Sequence, residues 1–199
     1  MLTRMFRRRS IISLGVSFNA NGIFVVVVKK IRSNYSLVDC LYHKWPSNLI
    51  ECEHILDKKS LSACLRDMIQ PNQFYQCPVS MALPDRFVFQ HQFSLLERYS
   101  LREQITHILL AASERFECAI TALQYDAVYA KDRICYAVTQ TEIVSNYVDC
   151  MRLSNLSLKI LDVESNVKNN ADKQVIQNFN LNEDWYLSCA LALRALKND

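Results

Sequence analysis

Glycine is nearly absent: Gly15 and Gly22 are the only two in 199 residues. A chain so poor in glycine has no spare loop in which backbone N–H groups can cradle phosphate, so a Walker-type loop and a G-x-G-x-x-G turn are both excluded. The four prolines fall singly, and no low-complexity segment or long repeat appears. Long apolar runs are missing too. Ile23 to Val28 stops at Lys29-Lys30, far short of the roughly 18–20 apolar residues of a membrane-spanning helix. Charge of one sign is lacking, with 23 basic against 20 acidic residues and a net charge of +3, so neither nucleic acid nor an acidic substrate is demanded. Aromatic and basic residues are not interleaved, which disfavours direct nucleic-acid binding. The eight cysteines contain no C-x-x-C pair and read as reduced, mostly buried thiols rather than a zinc site. The four histidines (His43, His54, His91, His107) lie in separate segments, and there is neither H-E-x-x-H nor G-x-S-x-G. Cys52-Glu53-His54 lacks companions within reach, so no metal site is expected.

Half of the residues are hydrophobic, enough for a real core in one domain or two small ones. Arg4, Arg7, Arg8 and Arg9 make residues 1–10 a basic tip, read as a solvated terminus. The apolar run after it is broken at Ser13 and Gly15, which is not the pattern of a signal peptide, so a cytoplasmic protein is expected. Residues 11–83 form a first unit. Ser13 to Phe18 and Ile23 to Val28 flank Asn19-Ala20-Asn21-Gly22, a hairpin signal. Ile23 to Val28 is apolar on both faces and predicts a central strand covered on each side. A third strand over Tyr35 to Lys44 ends at Trp45-Pro46. A helix over Lys59 to Ile69, with Leu61, Cys64, Leu65 and Met68 inward, stops at Gln70-Pro71-Asn72, and Val79 to Leu83 is a fourth strand.

Pro84-Asp85 marks the entry to a second unit, residues 84–160. A strand over Arg86 to Phe93 runs into Ser100-Leu101-Arg102-Glu103, a capping box opening a helix to about Phe116. Ile120 to Tyr129 and Arg133 to Val138 pair as strands across Ala130-Lys131-Asp132. Thr139-Gln140-Thr141-Glu142 reads as a second capping box, its helix running to Leu153. With a closing strand the order is β-α-β-β-α-β, a split ferredoxin-like plan. Residues 161–199 carry a weak helical stretch, Val167 to Phe179, and a better-defined last helix. That helix has Asn182-Glu183-Asp184 at its start and Arg194 and Lys197 at its end, matching the dipole. Asp162 and Glu164, alternating on a strand, are the only paired carboxylates at such a junction. They are read as capping the helix after Ser165 rather than as an acid/base pair.

Four segments carry a resemblance: Leu14-Gly15-Val16-Ser17-Phe18, Met81-Ala82-Leu83-Pro84, Leu161-Asp162-Val163-Glu164-Ser165, and Tyr186 to Leu196. Their order resembles the PilM family of type IV pilus assembly proteins, with its HofM and competence protein A relatives, actin-like proteins akin to FtsA. The resemblance implies an α/β fold: a partial actin-like (RNase H-like) subdomain 1A over 11–83, an inserted ferredoxin-like subdomain 1C over 84–160, and residues 161–199 returning to the core. Most of the second actin-like half is missing. It also implies a partner, the N-terminal cytoplasmic tail of a PilN-like membrane protein held between 1A and 1C, and a place beside other inner-membrane platform proteins of the pilus. Phe24, Pro84, Phe87, Phe89 and Phe93 are the residues expected to line that cleft.

Nucleotide-binding relatives use an Asp-x-Gly-Ser/Thr hairpin as first phosphate loop, commonly with a lysine shortly after; here those positions carry Ser17, Asn19 and Phe24, with Gly22 in the turn. Loss of the Asp removes the group that organises metal-bound water. The expectation is a chain without ATP or another cofactor, without enzymatic activity, serving as a cytoplasmic scaffold peripheral to the inner membrane. The alternatives are an ATP-binding protein of the FtsA or secretion-platform type and a truncated remnant without function.

Overall fold

A computed structural model describes residues 11–19, 22–44, 50–51, 54–55, 57–72, 74, 76–94 and 99–197. The basic tip, Asn21, Trp45-Pro46, Cys52, Glu53 and the side chains of Asn19 and His54 lie outside what is described. Two compact units result, one of Met1–Ala82 with Asp149–Asp199, the other of Leu83–Val148.

The first unit begins with a hairpin of β1 (Ile11–Asn19) and β2 (Gly22–Ile31), closed by the pair Asn19 and Gly22. β3 (Asn34–Lys44) adds antiparallel to β2 with a bulge at Val27/Val28. β4 (Ile50–Glu51) and β5 (His54–Ile55) form a minimal ribbon. α1 (Lys58–Ile69) starts where the Asp57 carboxylate accepts the N–H groups of Lys59 and Ser60. The chain then returns as β6 (Pro78–Leu83), parallel to β1.

The second unit is a three-stranded antiparallel sheet in the order β7 (Phe89–Ser94), β9 (Arg133–Gln140), β8 (Leu123–Tyr129). α2 (Leu101–Phe116) lies on one face of it. Its Ile108 and Ala112 are buried against Phe93, Ile134, Tyr136 and Val138. The expected capping box is formed by Ser100 and Glu103. The hydroxyl and backbone N–H of Ser100 hold the Glu103 carboxyl below its usual range. Gln104, a buried residue of α2, accepts from the Tyr136 hydroxyl at 3.0 Å and donates to the Tyr99 carbonyl at 3.1 Å, so its amide is satisfied on both sides.

α3 (Thr141–Leu153) leads into β10 (Ser157–Val163), followed by α4 (Glu164–Asn169), α5 (Lys173–Asn178) and α6 (Glu183–Lys197). β10 joins the first unit at the edge of a five-stranded sheet ordered β10-β6-β1-β2-β3. The ferredoxin-like expectation therefore fails by one strand. The cause is the anchorage of the end of α3 to α1: Ser62 Oγ donates to the Cys150 carbonyl at 3.0 Å, Lys58 pairs with Asp149 at 3.5 Å, and Arg66 donates to the Leu153 carbonyl at 3.3 Å. Asn155, at φ 58°, then ends the helix in the left-handed region and turns the chain into the larger sheet.

Other differences are local. The strand expected from Arg86 begins only at Phe89, because Asp85–Phe87 is a 3-10 turn closed by the Phe87 N–H on the Pro84 carbonyl. Ile120–Ala122 is likewise a 3-10 turn ahead of β8. Thr139 stays in β9, and its buried hydroxyl has no partner among the described residues, so the second capping box does not form. The stretch 167–179 is two short helices, because Asp172 accepts the Val175 N–H and starts a new one. Of the described cysteines only Cys150 and Cys189 are buried; the other five are half-buried, fewer than expected.

Burial of Ile23 to Val28 is complete on both faces of the sheet, as the run of apolar residues requires. The face under α6 has an unusual floor. Ser13, Gly15 and Ser17 of β1 alternate onto it, in register with Val28, Val26 and Phe24 of β2 and with Ser80 of β6 beside Gly15. On these small residues α6 settles so closely that a Cβ at Gly15 would lie 1.8 Å from the Ser188 carbonyl oxygen and 2.6 Å from the Ala192 nitrogen. Leu191, Leu193 and Leu196 pack with Val26, Val28, Val167 and Ile176, and Lys30 donates to the Leu196 carbonyl at 2.5 Å, tying down the helix C-terminus.

Gly15→Ala should therefore destabilise the protein at the upper end of the overpacking range, by about 3 kcal/mol, read as a lower urea midpoint. An unchanged midpoint would contradict this packing.

Candidate functional site

Of the residues expected at a degenerate phosphate loop, Phe24 and Gly22 make structural contacts. Phe24 packs edge-on to Trp185 with ring centroids 5.1 Å apart and against Tyr42 at 5.0 Å. Gly22 lies opposite Lys44, where a Cβ would meet the His43 carbonyl oxygen at 2.2 Å, so its glycine serves the close approach of β3. Ser17 is buried at 7% exposure and faces α6. It opens onto a cavity of about 510 Å³ lined also by Glu164, Lys168, Glu183, Asp184 and Tyr186, with Phe18 and Leu187 as its apolar wall.

The junction carboxylates behave differently from the capping expectation. α4 begins at Glu164 itself, after Val163, with no side-chain cap, so Asp162 stands in a strand and Glu164 in a helix. Asp162 accepts the Val163 N–H at 2.7 Å and pairs with Arg194 of α6, the carboxylate only 12% exposed. Such a shielded pair fixes α6 against β10 more firmly than a surface pair would. Glu164 pairs with Lys168 one turn on.

In the second unit Pro84, Phe87 and Phe93 are buried, while Phe89 is half-buried. Phe87 lies in the 3-10 turn and so does not share the strand face of Phe89 and Phe93. That face carries an aromatic row: Phe89 stacks on His91 at 6.3 Å, and His91 meets Phe93 at 4.7 Å and His107 at 5.8 Å. The Arg115 guanidinium lies over Phe89 at 5.9 Å. A second cavity of about 510 Å³ opens beside Phe93, Tyr99, Arg102, Thr106, His107 and Leu110. The aromatic spacing of β7 pointed to this face; Trp185, Glu183, Asp184 and the Asp162 partner Arg194 were not marked as site residues, because only the tertiary fold brings α6 over β1.

Among the described residues no group of three His, Cys, Asp or Glu is placed to hold a metal ion. Burial pushes the Cys150 thiol up to about 11, against the lowering effect of Ser62 and Ser154, and the Cys189 thiol up to about 12, with Cys40 adding to it. Desolvation likewise raises Cys40, Cys64 and Cys77. These thiols are held neutral, the reverse of an activated nucleophile.

No protein-family model matches the sequence, and no curated protein matches it. Solved structures do share the fold. A chain of the PilM-PilN type IV pilus biogenesis complex superposes with a TM-score of 0.62 at 16% identity, over 78% of this chain and 48% of that one. The cytoplasmic domain of EpsL, an inner membrane component of the type II secretion system of Vibrio cholerae, superposes with a TM-score of 0.51 at 5% identity, over 80% and 59%. The chain thus spans between about half and three fifths of the length of these relatives in fold. No described helix is long and apolar enough to cross a membrane.

At about pH 8 a thiol reagent should leave Cys150 and Cys189 unmodified in the native protein and modify both after denaturation. Because the folded state keeps these protons past the ordinary value of 9.0, stability should fall as pH rises from there toward about 11 to 12. A urea midpoint that rises over that range would contradict their burial.

Proposed function

We propose that this chain is a non-enzymatic cytoplasmic adaptor of a type IV pilus or competence machine. It binds the N-terminal cytoplasmic tail of a PilN-like inner-membrane protein and through it stays at the membrane beside the other platform proteins. The observation that carries this reading is the fold shared with a chain of the PilM-PilN complex over 78% of the present one. The likeness to the EpsL cytoplasmic domain favours a second reading, the same adaptor role in a secretion platform. An extended tail fits such a protein through backbone hydrogen bonds and pockets for alternate side chains.

The adaptor works without ATP. Two observations support this part of the reading: Gly15 is consumed by the close approach of α6 and Gly22 by that of β3. Phe24, at the end of the degenerate loop, is held in an aromatic contact with Trp185. Among the five residues expected to meet the tail, Phe89 is the one that can be truncated at least cost to the core, since it is only partly packed against α2 and β9.

Calorimetric titration with the tail peptide of the cognate PilN-like protein should give saturable binding at about micromolar affinity, and a parallel titration with ATP should give none. Phe89→Ala should weaken peptide binding about tenfold. Saturable ATP binding, or no peptide binding by a well-folded sample, would overturn the reading.

A further inference from the structure

We propose that the cavity beside the N-terminal half of α2 is a docking pocket for a segment of a partner protein in which an aromatic side chain stands next to a carboxylate. The pocket lies wholly within the second unit. Its floor is Phe93, 5% exposed, and Tyr99 and His107 stand edge-on to that ring at centroid distances of 6.2 and 5.8 Å. Rings set at steep angles to one another offer faces and edges that a further ring can meet in the same way. Leu110 adds an aliphatic wall, and Leu110 and Tyr99 are left 50% and 59% exposed. A volume of about 510 Å³ takes one aromatic side chain and leaves room for the residue beside it.

The carboxylate follows from charge. Arg102 and Glu103 both line the pocket, but their charges are not equally available. The Glu103 carboxylate is spent on the capping box, accepting the backbone N–H and the hydroxyl of Ser100, each at 2.7 Å. The amide of Gln104 and the hydroxyl of Thr106 are spent as well, the second on the Arg102 carbonyl at 2.8 Å. The Arg102 guanidinium is exposed and has no ion pair or hydrogen bond among the described residues. It also stands in the first turn of α2, where the helix dipole favours acids and disfavours a cation. An unpaired guanidinium held there against the dipole is complementary to a carboxylate carried by the occupant, which its fork of N–H donors can grip on both oxygens. The pocket shares only Phe93 with the residues expected to meet a PilN-like tail, and it stands if that reading falls.

The test is a titration of the full ¹⁵N-labelled chain, followed through its amide chemical shifts, with acetyl-Asp-Phe-Asp-amide as probe and acetyl-Asn-Phe-Asn-amide and acetyl-Asp-Ala-Asp-amide alongside. The probe should shift the amides of Tyr99, Arg102 and Leu110 saturably, binding about tenfold tighter than the alanine peptide and about threefold tighter than the asparagine peptide. Arg102→Gln, which takes a cation away from a helix N-terminus and so spares the fold, should bring the aspartate and asparagine peptides to equal affinity. Leu110→Ser should weaken both phenylalanine peptides about fivefold. Equal binding of the aspartate peptide and either control by the native chain, or a preference for aspartate that Arg102→Gln leaves intact, overturns the proposal. Shifts of the same amides on raising the concentration of the chain alone, lost in Leu110→Ser, would make a second copy the occupant and overturn a partner segment.

Discussion

The contact of α6 with the bare backbone of Gly15 is what the rest of the first unit depends on. β2 is apolar on both faces, and a strand of that kind is stable only between two layers. α6 can supply one layer only by coming closer than a side chain on β1 would allow, which the sequence Ser13, Gly15, Ser17 permits. Once seated, the helix buries Leu191, Leu193 and Leu196 and draws in Val167 of α4 and Ile176 of α5. Its two ends are then fastened by different chemistry, Trp185 against Phe24 at the start and Lys30 on the Leu196 carbonyl at the finish.

The same seating decides what the candidate sites are. It covers Gly15 and engages Phe24 in a contact with Trp185. It brings Glu183 and Asp184 to the same cavity as Ser17 and Glu164. It also brings Arg194 to Asp162, so that the junction carboxylate most suggestive of catalysis is neutralised by a structural partner.

Much of this was readable in the sequence because it is encoded locally. The period-2 runs of β1 and β2, the doubly apolar Ile23 to Val28, the Ser100–Glu103 box and the charged ends of α6 each carry their own signal. What was not readable depends on residues distant in the chain. Nothing within Ser157–Val163 chooses between the two sheets; the hold of α1 on the end of α3 does. Thr139 has the spelling of a cap, yet extension of β9 to Gln140 claims it for the sheet. Asp162 looks like a cap or a catalytic acid until α6 folds back and presents Arg194. The aromatic alternation of β7 was legible, but Phe87 falls out of it because Pro84 imposes a turn first.

Native-state hydrogen exchange is the most direct measurement of whether α6 is an integral layer of the sheet. Its amides from Ser188 to Leu196 should exchange as slowly as those of Val25 to Val28, because both open only with global unfolding. Exchange of α6 at the faster rate of the short helix α5, with β2 still protected, would contradict the seating on Gly15.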